Sequence, residues 1–169
     1  MSSIGRAGRS FKSISKADLR RLADIAAADR RDFFSRHPDW AKLYSKRYFA
    51  TALCQGAALH YLAGEVGIQD FDLYTFYSAN PARRWYAKRN KHYDFGSPKF
   101  GVSLDRPDFV GRRVDLLARA IDRGPREDPA GAIQRWLRLG QTATARLLAN
   151  KALVLLSPPH RLGEVVWPM

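Results

Sequence analysis

The spacing of apolar residues predicts helices toward both ends of the chain. Ser15 and Asp18 form the pattern of a capping box, and apolar residues then recur at helical spacing as far as Arg36. Further helices are predicted over residues 39–47, 57–62, 118–122, 129–139 and 142–156. Glycine or proline residues separate most of these segments, which is typical of helix ends.

The middle of the chain carries the patterns of β-strands. Residues 48–55 form a largely apolar run that favours a buried strand, and residues 70–77 alternate and are rich in aromatic side chains. Weaker strand patterns cover residues 100–104 and 109–117. Helices, a small mixed sheet and further helices, in that order, predict one α+β domain over residues 15–169.

The composition narrows the class of protein. The chain has 169 residues, of which 46% are hydrophobic and 27% are charged, as in globular proteins. The apolar run 151–157 is much shorter than the roughly 20 residues of a membrane span, and the first residues lack the apolar core of a secretory signal. We therefore expect a soluble, cytoplasmic protein with no membrane partner. A single cysteine excludes an intrachain disulfide and a zinc site built from several thiolates.

The chain carries an excess of positive charge. Lysine and arginine total 29 against 16 acidic residues, giving a net charge of +13. This excess indicates a polyanionic partner, which can be RNA, DNA, a nucleotide or an acidic protein. Residues 1–14 are basic and rich in glycine and serine, so we expect a disordered tail there.

The densest basic segment is residues 83–91, which holds five basic and no acidic residues. Trp85 and Tyr86 lie between the cations, and such rings can stack on bases while cations bind phosphates. The alternative is a solvated surface segment whose aromatic side chains pack inward. The candidate phosphate-binding residues of this segment are Arg83, Arg84, Lys88 and Arg89.

Two aspartates in this basic chain have the spacing of a metal site. Asp70 and Asp72 lie on one face of a predicted strand, about 6.6 Å apart along it. Two like charges at that distance repel each other unless a cation lies between them, and Mg²⁺ or Mn²⁺ is the natural choice. The alternative is a pair of solvated aspartates on an edge strand.

Two further residues strengthen the prediction of a phosphate and metal site. Gly56 lies between a predicted strand and a helix, where backbone N–H groups can approach a phosphate. Asp115 lies among apolar residues on a later strand and can supply a third carboxylate, enough to hold two metal ions. The alternative for Asp115 is an exposed residue paired with Arg112 or Arg113.

These segments together resemble the nucleotidyltransferase superfamily with the polymerase-beta-like fold. The chain reads Gln-Gly-Ala-Ala-Leu over residues 55–59 and Asp-Phe-Asp-Leu over residues 70–73, similar to the glycine motif and acidic pair of that superfamily. The pattern is closest to the abortive-infection type nucleotidyltransferase toxins of toxin–antitoxin pairs. Leu-Leu-Ala-Asn-Lys over residues 147–151 is similar to a late-helix lysine motif of those relatives.

The resemblance implies a metal-dependent enzyme that moves a nucleoside monophosphate from an NTP to a hydroxyl of RNA or protein. It implies that Asp70, Asp72 and Asp115 are catalytic residues that bind Mg²⁺ or Mn²⁺. It further implies that Gly56, Ala57 and Lys151 bind the nucleotide. Ala57 and Ala58 depart from the motif, because a side-chain hydroxyl commonly contacts the triphosphate there. For Lys151 the alternative is a lysine on a helix surface.

Two other functions fit the same charge. The first is a non-catalytic nucleic-acid-binding protein on a degenerate nucleotidyltransferase fold, whose RNA binding depends on salt and survives loss of the aspartates. The second is a basic component neutralised by an acidic protein partner, which would purify together with it. Convergence of Asp70, Asp72 and Asp115 at one open edge is the observation that the catalytic hypothesis requires.

Overall fold

Six strands in the computed structural model form one mixed sheet with helices on both faces. The structure describes residues 4–5, 8–85 and 91–169. The α-helices are α1 (Lys16–Arg36), α2 (Pro38–Tyr44), α3 (Gln55–Ala63), α4 (Pro129–Leu139) and α5 (Ala143–Ala149). The strands are β1 (Ile4–Gly5), β2 (Arg9–Ser10), β3 (Tyr48–Cys54), β4 (Phe71–Ser78), β5 (Lys91–Asp94), β6 (Arg113–Ile121), β7 (Leu153–Ser157) and β8 (Val165–Trp167). The protein is therefore α+β, as the sequence predicts.

The strand order in the large sheet is β5-β6-β4-β3-β7-β8. Strands β4 and β6 are parallel, and every other neighbouring pair is antiparallel. The end of β3 therefore lies at the same edge of the sheet as the starts of β4, β6 and β7. We call this edge, marked by Cys54, Asp72, Asp115 and Leu153, the carboxylate end.

Helix α1 begins at the predicted capping box. The hydroxyl of Ser15 accepts a hydrogen bond from the backbone N–H of Asp18 at 3.2 Å. The Asp18 carboxylate accepts one from the backbone N–H of Ser15 at 2.8 Å. Two N–H groups that the first helical turn leaves unpaired are thereby satisfied, which fixes the start of the helix.

Each face of the sheet has its own hydrophobic core. Helices α1 and α3 cover one face, where Leu19, Leu22 and Ala58 pack on strand residues. Helices α4 and α5 cover the other, where Ile133, Leu137 and Leu148 contribute. In the described part of the chain, none of the helices has the length and apolar character needed to cross a membrane.

The prediction of a single helix over residues 142–156 is wrong in its second half. Helix α5 ends at Ala149, and residues 153–157 form β7 between β3 and β8. Leu153–Leu156 are all buried, because a strand inside the sheet is covered on both faces. A continuous apolar run of that kind does not distinguish a buried strand from a buried helix.

Other predicted elements also change. Residues 118–122 were expected to be a helix, but β6 runs on as a strand to Ile121 in parallel register with β4. Residues 100–104 hold the end of a 3₁₀ turn and a loop rather than a strand. Whether such a segment becomes a strand depends on a neighbouring strand to pair with, because its own strand or helix propensity is weak.

The described residues before α1 differ from the expected disordered tail. The backbones of Ser10 and Ile68 exchange two hydrogen bonds, of 2.9 and 2.7 Å. The side chain of Ile14 is buried in the core that α1 covers. His60 pairs through Nε2 with the carbonyl of Lys12 and accepts at Nδ1 from the N–H of Gly67. His60 is therefore a satisfied core histidine that fixes this segment.

Candidate active site

Polar side chains form one row across four strands at the carboxylate end. Asp72 of β4 lies directly opposite Cys54 of β3 on one side and Asp115 of β6 on the other. His92 of β5 lies opposite Asp115 in turn. Residues in register on neighbouring strands share a face and lie about 4.8 Å apart. The row therefore places the Asp72 and Asp115 carboxyl groups side by side.

A second row lies one step nearer the edge of the sheet. Asp70 precedes Asp72 by two residues and Arg113 precedes Asp115 by two, so these four side chains share a face. The Arg113 guanidinium donates a hydrogen bond to Asp70 and one of 3.1 Å to Asp115, and it also binds Asp105. One cation thus holds three carboxylates together.

The central ion pairs are shielded from solvent. The side chains of Asp70, Arg113 and Asp115 are 18%, 17% and 11% exposed. Burying such charges costs desolvation energy that their pairing offsets, so removing one partner leaves an uncompensated buried charge. Arg113 therefore compensates the negative charge of the carboxylates at this edge.

Asp115 has an oxygen without a hydrogen bond among the described residues. Its Oδ1 lies 2.9 Å from Arg113 Nε and 3.5 Å from His92 Nε2. Neither contact has the geometry of a hydrogen bond, and both Oδ1 and the Arg113 Nε are buried without a partner. This oxygen is therefore compensated by the charge of Arg113 without a well-formed hydrogen bond, and a buried carboxylate oxygen in that state is costly.

Burial and like charge shift the two central carboxyl groups in the same direction. The pKa of Asp72 is raised to about 7, mainly by burial. The charges of Asp70 and Asp115 and a hydrogen bond with Asp115 also raise it, while the charge of Arg113 lowers it. Burial also raises the pKa of Asp115, and Asp70 contributes, while Arg113 opposes it. Paired carboxyl groups with raised pKa values are typical of sites that hold a cation or move protons.

The donor set suits a hard divalent cation, although its present arrangement does not hold one. The nearby oxygens belong to carboxylates, which are the ligands that Mg²⁺ and Mn²⁺ prefer, and Oδ1 of Asp115, which accepts no hydrogen bond from the described residues, lies among them. In the described chain no group of three potential ligands is arranged to coordinate an ion. The guanidinium of Arg113 lies between Asp70 and Asp115, where a cation would bind.

A small pocket gives access to this edge. It measures about 220 Å³ and is lined by Asp70, Asp105 and Arg113 together with Ser103. Arg112 fixes its floor, because its buried guanidinium donates to the carbonyls of Phe100, Gly8 and Gln69. Arg113, rather than Arg112, is therefore the partner of Asp115.

The predicted phosphate-binding glycine lies at the same end of the sheet. Gly56 is in the first turn of α3, whose N-terminus follows Cys54 and has no side-chain cap. A Cβ built on Gly56 would meet no atom within 4 Å, so the surface there is open. Ala57 as a whole residue is only 2% exposed, so Gly56 offers the accessible backbone of this pair.

Lys151 lies outside the helix that the sequence predicts for it. Helix α5 ends at Ala149, and Lys151 is exposed in the turn before β7. The next residue, Ala152, accepts a hydrogen bond of 3.0 Å from the backbone N–H of Gln55 at the start of α3. The turn therefore brings Lys151 to the carboxylate end beside the glycine motif.

The basic segment after β4 begins at the opposite end of the sheet. Arg83 and Arg84 are exposed beyond the end of β4, which lies about 26 Å from Asp70 along that strand. Lys88 and Arg89 lie outside the described residues. Trp85 packs inward and stacks on Tyr77 with ring centroids 4.8 Å apart, as in the alternative interpretation of this segment.

Three members of the cluster, Arg113, Asp105 and His92, are not among the site residues that the sequence predicts. Arg113 appeared only as a surface partner for Asp115, although its spacing of two residues on a strand indicates a shared face. Asp105 reaches the site from a loop, and His92 from β5. Those two contacts carry no signal in the sequence. Cys54 is fully buried, and burial raises the pKa of its thiol.

Comparison of the chain with models of known protein families, with curated proteins and with solved structures finds no match. The resemblance drawn from residues 55–59, residues 70–73 and Asp115 therefore stands on the residues themselves. The geometry of the carboxylate end is the independent observation on which a functional proposal can rest.

Replacing Gly56 tests the predicted contact between its backbone and a phosphate, with little risk to the fold. Gly56→Ala adds a methyl group in open space within a helix, so the free energy of unfolding should rise by about 0.5–1 kcal/mol. The same methyl group projects into the proposed approach of the triphosphate, so the Kd for an NTP should rise several-fold. Thermal unfolding and equilibrium titration with an NTP measure the two effects. Unchanged NTP affinity would remove Gly56 from the site.

Proposed function

We propose that the protein is a metal-dependent nucleotidyltransferase that moves a nucleoside monophosphate from an NTP to a hydroxyl of RNA or protein. The observation that carries the proposal is the register of β4 and β6. It places Asp72 beside Asp115, with Asp70 at the same edge, in a chain of net charge +13. A small acidic centre in basic surroundings suits a reaction in which metal ions and phosphates meet.

The three aspartates divide the work of the site. Asp70 and Asp72 would hold an ion that accompanies the triphosphate, and Asp115 would help to hold a second ion and would accept the proton of the acceptor hydroxyl. When bound, Mg²⁺ or Mn²⁺ neutralises phosphate charge and lowers the pKa of that hydroxyl. Arg113 would have to leave its place between Asp70 and Asp115 for these carboxylates to hold an ion, since the guanidinium occupies the same oxygens.

In the proposed transfer, one bond to the α-phosphorus forms as another breaks. The acceptor oxygen forms a bond to the α-phosphorus, and the bond from that phosphorus to the bridging oxygen of the β-phosphate breaks. Pyrophosphate leaves, and the hydroxyl proton passes to the carboxylate of Asp115. The backbone of Gly56 and Ala57 and the ammonium of Lys151 hold the phosphates from the side of α3. Catalysis thus consists mainly of positioning and charge stabilisation.

A labelling experiment tests the proposed activity. Purified protein with Mg²⁺ or Mn²⁺ receives each of the four NTPs, labelled at the α-phosphate, with total RNA in one series and cell lysate protein in another. We expect one NTP to label one class of acceptor, and chelation of the metal to abolish the label. If no NTP labels anything in either series, the protein is not a nucleotidyltransferase.

One observation favours a non-catalytic alternative. Arg113 already neutralises the carboxylates, and the described residues contain no cluster arranged to hold a metal ion. In that case the protein binds nucleic acid through its basic surface, and the acidic centre is structural. RNA binding that depends on salt and is unchanged by Asp72→Asn, together with no Mn²⁺ binding, would decide for this alternative.

A further inference from the structure

A second polar pocket lies at the opposite end of the sheet from the carboxylates. It measures about 480 Å³ and opens where β3 begins and where β4 and β6 end. Lys46 and Arg47 line it from the 3₁₀ turn before β3, Ser78 from the end of β4, and Arg123 from the loop after β6. Among the residues that the structure describes, none that lines this pocket is acidic. We call it the distal basic pocket.

Two cations of the distal basic pocket, Arg47 and Arg123, are held in place by backbone carbonyls, and the negative charge of Glu127 acts on Arg123 from beyond ion-pair distance. Arg47 donates a hydrogen bond of 2.9 Å to the carbonyl of Ala79. Arg123 donates one of 2.9 Å to the carbonyl of Glu127, and its guanidinium lies 4.8 Å from the centre of the Phe49 ring. Carbonyl groups and rings orient a guanidinium but leave its charge unpaired.

Other arginines of the chain, in contrast, form ion pairs with carboxylates. Arg161 binds the carboxylates of Asp128 and Glu164, and Arg135 binds Glu127 at 2.6 Å. Within the described part of the chain, no carboxylate lies at ion-pair distance from a cation of the distal basic pocket. Two oriented guanidinium groups and the exposed lysine of the distal basic pocket line one cavity, which favours an anion with several oxygens, such as a phosphate.

Another pocket, of about 460 Å³, adjoins the distal basic pocket between α1 and β7. Its lining is mostly apolar, so we call it the apolar pocket. The charged residues that also line it are Arg20, Asp24 and Arg30. Tyr48 lines both pockets. Its hydroxyl is fixed by Thr51 at 3.0 Å and Ser157 at 2.7 Å, and the Arg30 guanidinium lies 3.6 Å from the centre of its ring. A ring and a guanidinium held together in this way form a platform of the kind on which bases stack.

We propose that these two pockets together bind one nucleotide unit of a single-stranded nucleic acid. The phosphodiester contacts Lys46, Arg47 and Arg123, and the base lies in the apolar pocket beside Tyr48 and Arg30. The eight residues of β4 place this site about 20 Å or more from the carboxylates. The inference stands independently of the proposed transferase activity, since it concerns binding at a separate surface.

Fluorescence anisotropy with labelled 12-nucleotide oligouridylate and oligothymidylate tests the phosphate contacts. The pocket variant is Lys46→Gln/Arg47→Gln/Arg123→Gln. Its matched control is Arg31→Gln/Lys42→Gln/Arg138→Gln, which removes the same charge from exposed positions elsewhere. We expect the pocket variant to weaken binding about tenfold or more and to reduce the slope of log K against log salt by about 0.7 per lost contact. The control should change affinity less than about threefold.

A second variant separates the base contact from the phosphate contacts. Arg30→Gln removes half of the platform without removing a residue of the distal basic pocket, so it should weaken oligouridylate binding but not the binding of inorganic polyphosphate. Equal losses in the pocket variant and its control would overturn the proposal in favour of general charge attraction. Equal competition by polyphosphate and no effect of Arg30→Gln would overturn the base site. Neither outcome bears on the labelling experiment at the carboxylate end.

Discussion

The Asp72→Asn protein is expected to lose metal-dependent nucleotide transfer by at least about a thousandfold while remaining folded. Asp72 lies at the centre of the register row, opposite both Cys54 and Asp115. An amide of the same size cannot supply a negative oxygen to a divalent ion. The geometry of the edge is otherwise preserved, so the loss of activity isolates the charge of this one residue.

The same substitution should stabilise the protein at alkaline pH. The pKa of Asp72 is raised from 3.8 to about 7, so the folded protein binds the proton more tightly than the unfolded chain. Stability from this group is complete below pH 4 and is lost as the pH rises toward 7. Asp72→Asn removes the loss, and in metal-free buffer at pH 8 its free energy of unfolding should exceed the wild-type value by about 1–3 kcal/mol.

Denaturant unfolding at pH 4 and pH 8, combined with the labelling assay, measures both effects. Asp39→Asn is the matched control, because Asp39 is exposed on α2 and far in sequence from the cluster. It should alter neither the activity nor the pH dependence of stability. Full activity in Asp72→Asn would remove the metal-binding role, and a stability that rises with pH from 4 to 7 only in the wild type would contradict the raised pKa.

The second large effect concerns Arg113, the counter-charge of the cluster. In Arg113→Gln the carboxylates of Asp70, Asp105 and Asp115 lose their shared cation. Because the site is mostly buried, the free energy of unfolding at pH 8 without metal should fall by about 2–4 kcal/mol. Acid should restore part of the loss, because protonation removes the repulsion between the carboxylates. Mn²⁺ should restore it at pH 8 by taking the vacated position.

Thermal unfolding with and without Mn²⁺ measures this exchange of cations. Arg106→Gln is the matched control, because Arg106 pairs with Asp108, which is 62% exposed, and such a surface pair is worth less than about 1 kcal/mol. The control should gain nothing from Mn²⁺. The double variant Arg113→Gln/Asp72→Asn should also lack the gain. Rescue by Mn²⁺ that is equal in the single and double variants would place the ion elsewhere.

The elements that the sequence predicts best are those defined by local chemistry. The capping box at Ser15 sets the start of α1, and Pro129 and Gly140 delimit α4. These signals act within a few residues, so they survive any change of context. The strand at 153–157 was predicted as part of a helix because burial on both faces leaves no period to read.

The candidate site likewise has a part that local sequence predicts and a part that depends on strand pairing. The sequence shows that Asp70 and Asp72 share a face, since two residues on one strand are related by local geometry alone. It cannot show that Asp115 lies opposite Asp72, because that depends on the parallel pairing of β4 with β6 across 42 intervening residues. The contact of Asp105 with Arg113 depends on the path of a loop in the same way.

The sequence by itself determined the α+β class, the limits of α1 and α4, the positive charge and the acidic pair. Only the tertiary structure decided which charges meet. It brought Asp115 to Asp72 and placed Arg113 between the carboxylates, and it moved Lys151 from a helix to the turn beside Gly56. It also turned Trp85 into the core. The physical reason is that strand register and burial depend on residues far apart in the chain, whereas capping and periodicity are local.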